Sequence, residues 1–135
     1  MFILFALIIS LIAPFFLLPI EKMLPYPFVF EELVKMLGVL LIIRQESKGN
    51  NNYFLTVVGV GLIFTISESI LYIVNILALG DFMIFPKRLM LTGGLHIGTV
   101  MLMYFWGRKN YLGLMAGLAG AVAIHYFFNL WVVGL

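Results

Sequence analysis

The chain alternates long apolar runs with brief polar interruptions. Residues 1–20 carry no charge and begin at the initiator Met, with no basic leader region and no small-residue cleavage site, so they read as a retained span rather than a signal peptide. Pro14 and Pro19 fall in its second half and are expected to bend or end the helix, because each removes a backbone donor. A turn carrying Pro25 and Pro27 follows, then a shorter apolar run over residues 28–43. At about 16 residues it is short for a bilayer of ~30 Å and is expected to be shielded by neighbours or partly interfacial. Residues 44–52, with Arg44, Glu46, Lys48, Gly49 and Asn50, Asn51 and Asn52 in a row, form the most polar stretch and read as a solvent loop. Further spans are expected over about residues 53–79, 88–106 and 111–134.

The long apolar runs lack the in-out alternation of barrel strands, so the spans are helices. The fold expected is an all-α integral membrane protein: one transmembrane domain over residues 1–135, a bundle of about five helices with its termini on opposite sides. Composition agrees, with 135 residues, 64% hydrophobic and 10% charged, and a mean hydropathy of +1.15, values outside the range of soluble domains. A net charge of +2, spread over the loops, indicates no nucleic-acid partner. Zero cysteines exclude disulfides and thiolate chemistry. The loops carrying Arg44, Lys48, Arg108 and Lys109 slightly outweigh those carrying Lys22, Lys87 and Arg88, which places the N-terminus inside. Gly113, Gly117 and Gly120 in the last span read as a close helix contact. Tyr104, Trp106, Tyr111 and Trp131 read as interface aromatics.

Against this background the polar residues inside the spans stand out: Glu31, Glu32 and Lys35, then Glu68, His96, and His125 with Asn129. A charge at the bilayer centre costs roughly 3 kcal/mol even on lenient scales, so such groups are expected to face one another or a water-filled cavity. Counted from the side of the first and third loops, Glu68, His96 and His125 lie ~12 to 17 Å deep at helical rise, a matching level. Glu31 and Lys35 are i,i+4 and share a face, while Glu32 points about 100° away; this leaves one carboxylate to pair with the lysine and the other for chemistry. His125 and Asn129 are likewise i,i+4. Glu68 shares its face with Tyr72 and Asn75, and His96 with Thr92 and Thr99, as helix-mates able to hold ring or ligand.

The order Glu-Glu-x-x-Lys (Glu31, Glu32, Lys35), Phe-x-x-x-Glu (Phe64, Glu68), an Arg-containing helix with His (Arg88, His96) and His-x-x-x-Asn (His125, Asn129) on successive hydrophobic helices resembles the PrsW group of intramembrane proteases. That group is related to the CAAX prenyl protease and bacteriocin-processing superfamily. The resemblance covers about residues 28–130. It implies hydrolysis of a peptide bond in or near the membrane, with Glu31, Glu32, Glu68, His96, His125 and Asn129 at the active site and Lys35 and Arg88 in positioning roles. The partners implied are the lipid bilayer and a membrane-anchored protein or peptide substrate; a homo-oligomer is left open. The membrane implied is a prokaryotic cell membrane.

Amide hydrolysis needs an activated water, a base and stabilisation of the tetrahedral oxyanion. Two mechanisms fit these residues. In a zinc mechanism His96, His125 and Glu68 form a His2Glu ligand set with a water in the open position and a second glutamate as base; no His-Glu-x-x-His occurs, so the ligands would come from separate helices. In a metal-free mechanism Glu32 activates water, His96 assists, and His125 with Asn129 donates to the oxyanion. Structural readings stand beside these: Glu31 with Lys35 as a plain helix pair, each histidine as a helix-helix hydrogen bonder, Arg88 as a snorkelling anchor. A small proton- or ion-coupled channel or transporter, and a non-catalytic scaffold subunit, are the alternatives from other classes.

Overall fold

The computed structural model describes residues 1–21, 23–47, 53–79 and 82–133, and the side chains of all of these except 20, 21, 74–79 and 133. It contains five helices, α1 (Phe2–Glu21), α2 (Pro27–Glu46), α3 (Phe54–Leu79), α4 (Ile84–Gly107) and α5 (Tyr111–Val133), and no strand among the described residues. The protein is an all-α bundle. Four of its helices are long and apolar enough to cross a membrane: α1, α3, α4 and α5. Apolar side chains cover the outside, with Leu55, Met90 and Leu112 almost fully exposed. That surface suits hydrocarbon as solvent, in which a helix satisfies its own backbone hydrogen bonds.

Three boundaries depart from the sequence reading. Pro14 and Pro19 both lie inside α1, which runs through Pro14 and ends only after Pro19. The second helix covers 20 residues instead of 16. It begins on Pro27, whose missing N–H costs nothing in the first turn, and continues through Arg44, Gln45 and Glu46, which a hydropathy reading assigns to the loop. Glu46 is held there by the Tyr104 hydroxyl (2.9 Å) and Arg108 (3.0 Å). At a rise of 1.5 Å, α2 therefore spans about 30 Å. Helix α4 starts at Ile84, not Arg88, because Pro86 sits within its first turn, where proline is tolerated. Arg88 is thus a full turn inside the helix.

Helix α2 packs against all four others. Around it the order is α1, α3, α4, α5, with α1 against α3, α3 against α4, and α4 against α5. The most charged helix is thereby the central one, which removes its ionised groups from lipid. The α4–α5 contact uses the glycines anticipated above: a Cβ on Gly117 would lie 2.9 Å from Met103 Cα, and one on Gly113 would strike the Trp106 carbonyl oxygen. The interior divides along the helix axes. Val39, Ile42, Val57, Val60, Val100 and Met103 fill one half with hydrocarbon. The other half, toward the start of α2 and the end of α5, buries Glu31, Glu32, Lys35, Ser67, His96 and His125.

Tyr104 is a correction. Read from the sequence as an interface aromatic, it is fully buried and donates its hydroxyl to Glu46. Its position eight residues after His96, on the same stripe as Val100 and Met103, is the signal that places it inward.

Candidate functional site

Lys35 is the hub of the polar half. The residue is 1% exposed, and its ammonium donates to Glu32 Oε1 at 2.5 Å and to His96 Nδ1 at 2.8 Å and lies over the Phe64 ring, 4.7 Å from its centroid. The lysine thus pairs with Glu32 at i,i+3 and not with Glu31 at i,i+4. Both spacings place side chains on one helical face, and the choice between them is made by α4 and α5, which bring His96 and His125 to the Glu32 side. Glu32 is completely buried, and its Oε1 also accepts from His125 Nδ1 at 2.7 Å.

Tautomers follow from this bonding. An ammonium only donates, so His96 Nδ1 accepts and the ring proton sits on Nε2. That Nε2–H donates to Glu68 Oε2 at 2.6 Å. The other Glu68 oxygen accepts from Arg88 at 2.8 Å, and the Arg88 guanidinium stacks on Tyr72, 3.8 Å from the ring centroid. In His125 the order is reversed. Nδ1–H donates to the Glu32 carboxylate, which in the neutral imidazole leaves Nε2 with a lone pair, 3.9 Å from Glu31 Oε2. The two imidazoles meet nearly edge to face, with centroids 5.7 Å apart. Phe64 packs against His96 and Phe28 against His125, so each ring is held from one side by an aromatic.

The sequence therefore named the members of the cluster, and the structure brings Glu31, Glu32, Lys35, Glu68, Arg88, His96 and His125 into one connected network. Arg88 joins it through Glu68. The threonines expected to hold His96 do something else: Thr92 donates to the Arg88 carbonyl (2.8 Å) and Thr99 to the His96 carbonyl (3.2 Å), the usual backbone bonding of a helical hydroxyl. The ring is held from other helices instead. Asn129 is half-buried one turn beyond His125, and the side chain of Asn75 lies outside the described residues. Phe28 was not singled out by sequence reasoning; its position one turn before Glu32 on the buried stripe of α2 was the available signal.

A cavity of about 540 Å³ opens onto this network between α4 and α5. Its walls include Arg88, Thr92, Leu95, Phe128 and Asn129, and Glu68, His96 and His125 reach it from behind. The volume lies in the range of small-ligand sites.

The fit to zinc can be judged from the donors. Among the described residues, Glu31, Glu68 and His96 offer ligand atoms that all lie within 4.8 Å of one another. By distance that trio could surround an ion, but it is not the anticipated set of His96, His125 and Glu68. By hydrogen bonding His96 does not fit either set. A neutral imidazole that accepts from Lys35 at Nδ1 carries its proton on Nε2 and has no lone pair left for a metal; ligating histidines direct their second nitrogen as a donor to a carboxylate or carbonyl. No family model, curated protein or solved structure matches this chain.

Proposed function

We infer that this chain is an intramembrane protease of a prokaryotic cell membrane, hydrolysing a peptide bond in a membrane-associated substrate through a water activated by carboxylate and histidine without a metal. One observation carries the reading. Glu32, itself neutralised by Lys35, holds His125 by Nδ1 at 2.7 Å, so that in the neutral imidazole the unprotonated Nε2 faces Glu31 at 3.9 Å on a histidine that lines the cavity between α4 and α5. A water that reaches Nε2 from the cavity His125 lines is placed for deprotonation, with the Glu31 carboxylate close behind the ring, the arrangement by which a carboxylate-oriented histidine acts as general base. The order of motifs that resembles the PrsW group supports the same reading.

Roles follow from the bonding. As the water oxygen attacks the scissile carbonyl carbon, its proton passes to His125 Nε2, and Glu32 stabilises the imidazolium that forms. The Asn129 amide, one turn along the same face, donates to the oxyanion. When the C–N bond breaks, His125 returns the proton to the leaving amine. Glu32, the candidate base in a reading of the sequence, moves to the orienting role because it is fully buried behind the histidine. Lys35 and Arg88 hold the carboxylates, and His96 links them.

The test is cleavage of a membrane-anchored reporter peptide by reconstituted protein. Glu31→Gln and His125→Ala should each reduce the rate by at least ~10²-fold. Equal cleavage by all three proteins would sink the proposal, and proton or ion flux without cleavage would favour a transporter.

A further inference from the structure

Two rows of α4 side chains line the cavity. The inner row, Arg88, Thr92 and His96, runs into the polar network; the outer row, Ile84, Lys87, Leu91 and Leu95, is apolar except at Lys87. The charges along the wall do not cancel. Glu68 is matched by Arg88 at 2.8 Å, whereas Lys87 makes no ion pair among the described residues. Among the described residues Arg88 also keeps a buried Nε–H without an acceptor. An apolar bore with a surplus cation near its start suits an apolar segment that carries an anion.

We propose that Lys87 is a specificity determinant of this cavity, binding a carboxylate carried by an otherwise apolar peptide segment. This deepens the proposed hydrolysis and rests on it for the position of the scissile bond. Lys87 precedes His96 by nine residues, about 13 Å of helix, and the His125 ring centroid lies 5.7 Å from that of His96. An extended peptide covers ~3.3 Å per residue, so the carboxylate stands roughly two to six residues from the bond that is cut at His125.

The experiment uses the full chain in nanodiscs of phosphatidylcholine and two fluorescent, amidated apolar peptides of about 20 residues, identical except for a terminal Asp or Lys. On wild type the Asp peptide should bind about tenfold more tightly, equivalent to about 1.4 kcal/mol. Lys87→Met should equalise the two, and Lys87→Glu should favour the Lys peptide. Lys87 is exposed, so both variants should fold, with unchanged thermal midpoints as the control. Equal affinities on wild type, or an Asp preference that survives Lys87→Glu, overturns the proposal. So does loss of the preference when phosphatidylglycerol is added, which would assign the cation to a lipid phosphate. Binding is also read on Glu31→Gln. A preserved preference without hydrolysis by wild type removes the protease reading alone, and hydrolysis without preference removes the carboxylate site alone.

Discussion

Lys35→Met is the most informative single perturbation of this bundle. At 2.5 Å from Glu32 Oε1 and an effective dielectric near 20, the attraction between the two charges is roughly 6 to 7 kcal/mol before desolvation is counted. Desolvation of each ion takes back several kcal/mol, so the intact pair contributes little net stability. Removing one partner is different, because it forfeits the attraction while the other charge stays buried. Glu32 has no exposed surface, and among the described residues its Oε2 has no hydrogen-bond partner and only His125 would remain on Oε1. The expected loss is about 3 to 5 kcal/mol. His96 Nδ1 would lose its donor in the same step. Adding Glu32→Gln to Lys35→Met removes the stranded charge and should restore about 1 to 3 kcal/mol. Reversible unfolding of the reconstituted protein, by thermal melt or steric trapping, measures all four corners of the cycle. The reasoning is refuted if Lys35→Met costs under ~1 kcal/mol or if the double variant is less stable than Lys35→Met alone.

Further outcomes follow from the same geometry. Solid-state ¹⁵N spectra of histidine-labelled protein in bilayers at neutral pH should show opposite tautomers, the proton on Nε2 in His96 and on Nδ1 in His125; matching tautomers would contradict the assignment. Chelation by 1,10-phenanthroline should leave cleavage unchanged, and elemental analysis should find no stoichiometric metal; a stoichiometric metal lost in His96→Ala would restore the zinc mechanism. Gly61→Ala would place a Cβ 2.8 Å from Ile97 Cα, backbone that moves only if α3 and α4 separate. It should cost about 1 to 3 kcal/mol, whereas Gly94→Ala meets nothing within 4 Å among the described residues and should be neutral or stabilise by up to ~1 kcal/mol; the same unfolding assay, reading equal effects at both glycines, would discredit the α3–α4 contact.

Particular residues show what was legible in the chain. Hydropathy is a property of each residue in turn, so the five helices, the membrane as solvent and the glycine contact of α5 could be read directly. The depth at which Glu68, His96 and His125 lie is likewise a count along a helix. Helix ends were less legible where neighbours satisfy polar groups. Glu46 looks like loop until Tyr104 and Arg108 are seen to hold it, and Arg88 looks like an anchor until Glu68 and Tyr72 are beside it.

The sequence by itself determined an all-helical membrane bundle and the list of polar residues that hydrocarbon obliges to converge. Only the tertiary structure decided how they are bonded: Glu32 rather than Glu31 to Lys35, the histidines in opposite tautomers, and His125 Nε2 as the nitrogen turned toward Glu31. Helical periodicity assigns a side chain to a face, and i,i+3 and i,i+4 partners share that face. Which partner bonds depends on which helices stand opposite, and that is settled by contacts across 61 residues for Lys35 with His96 and 93 for Glu32 with His125.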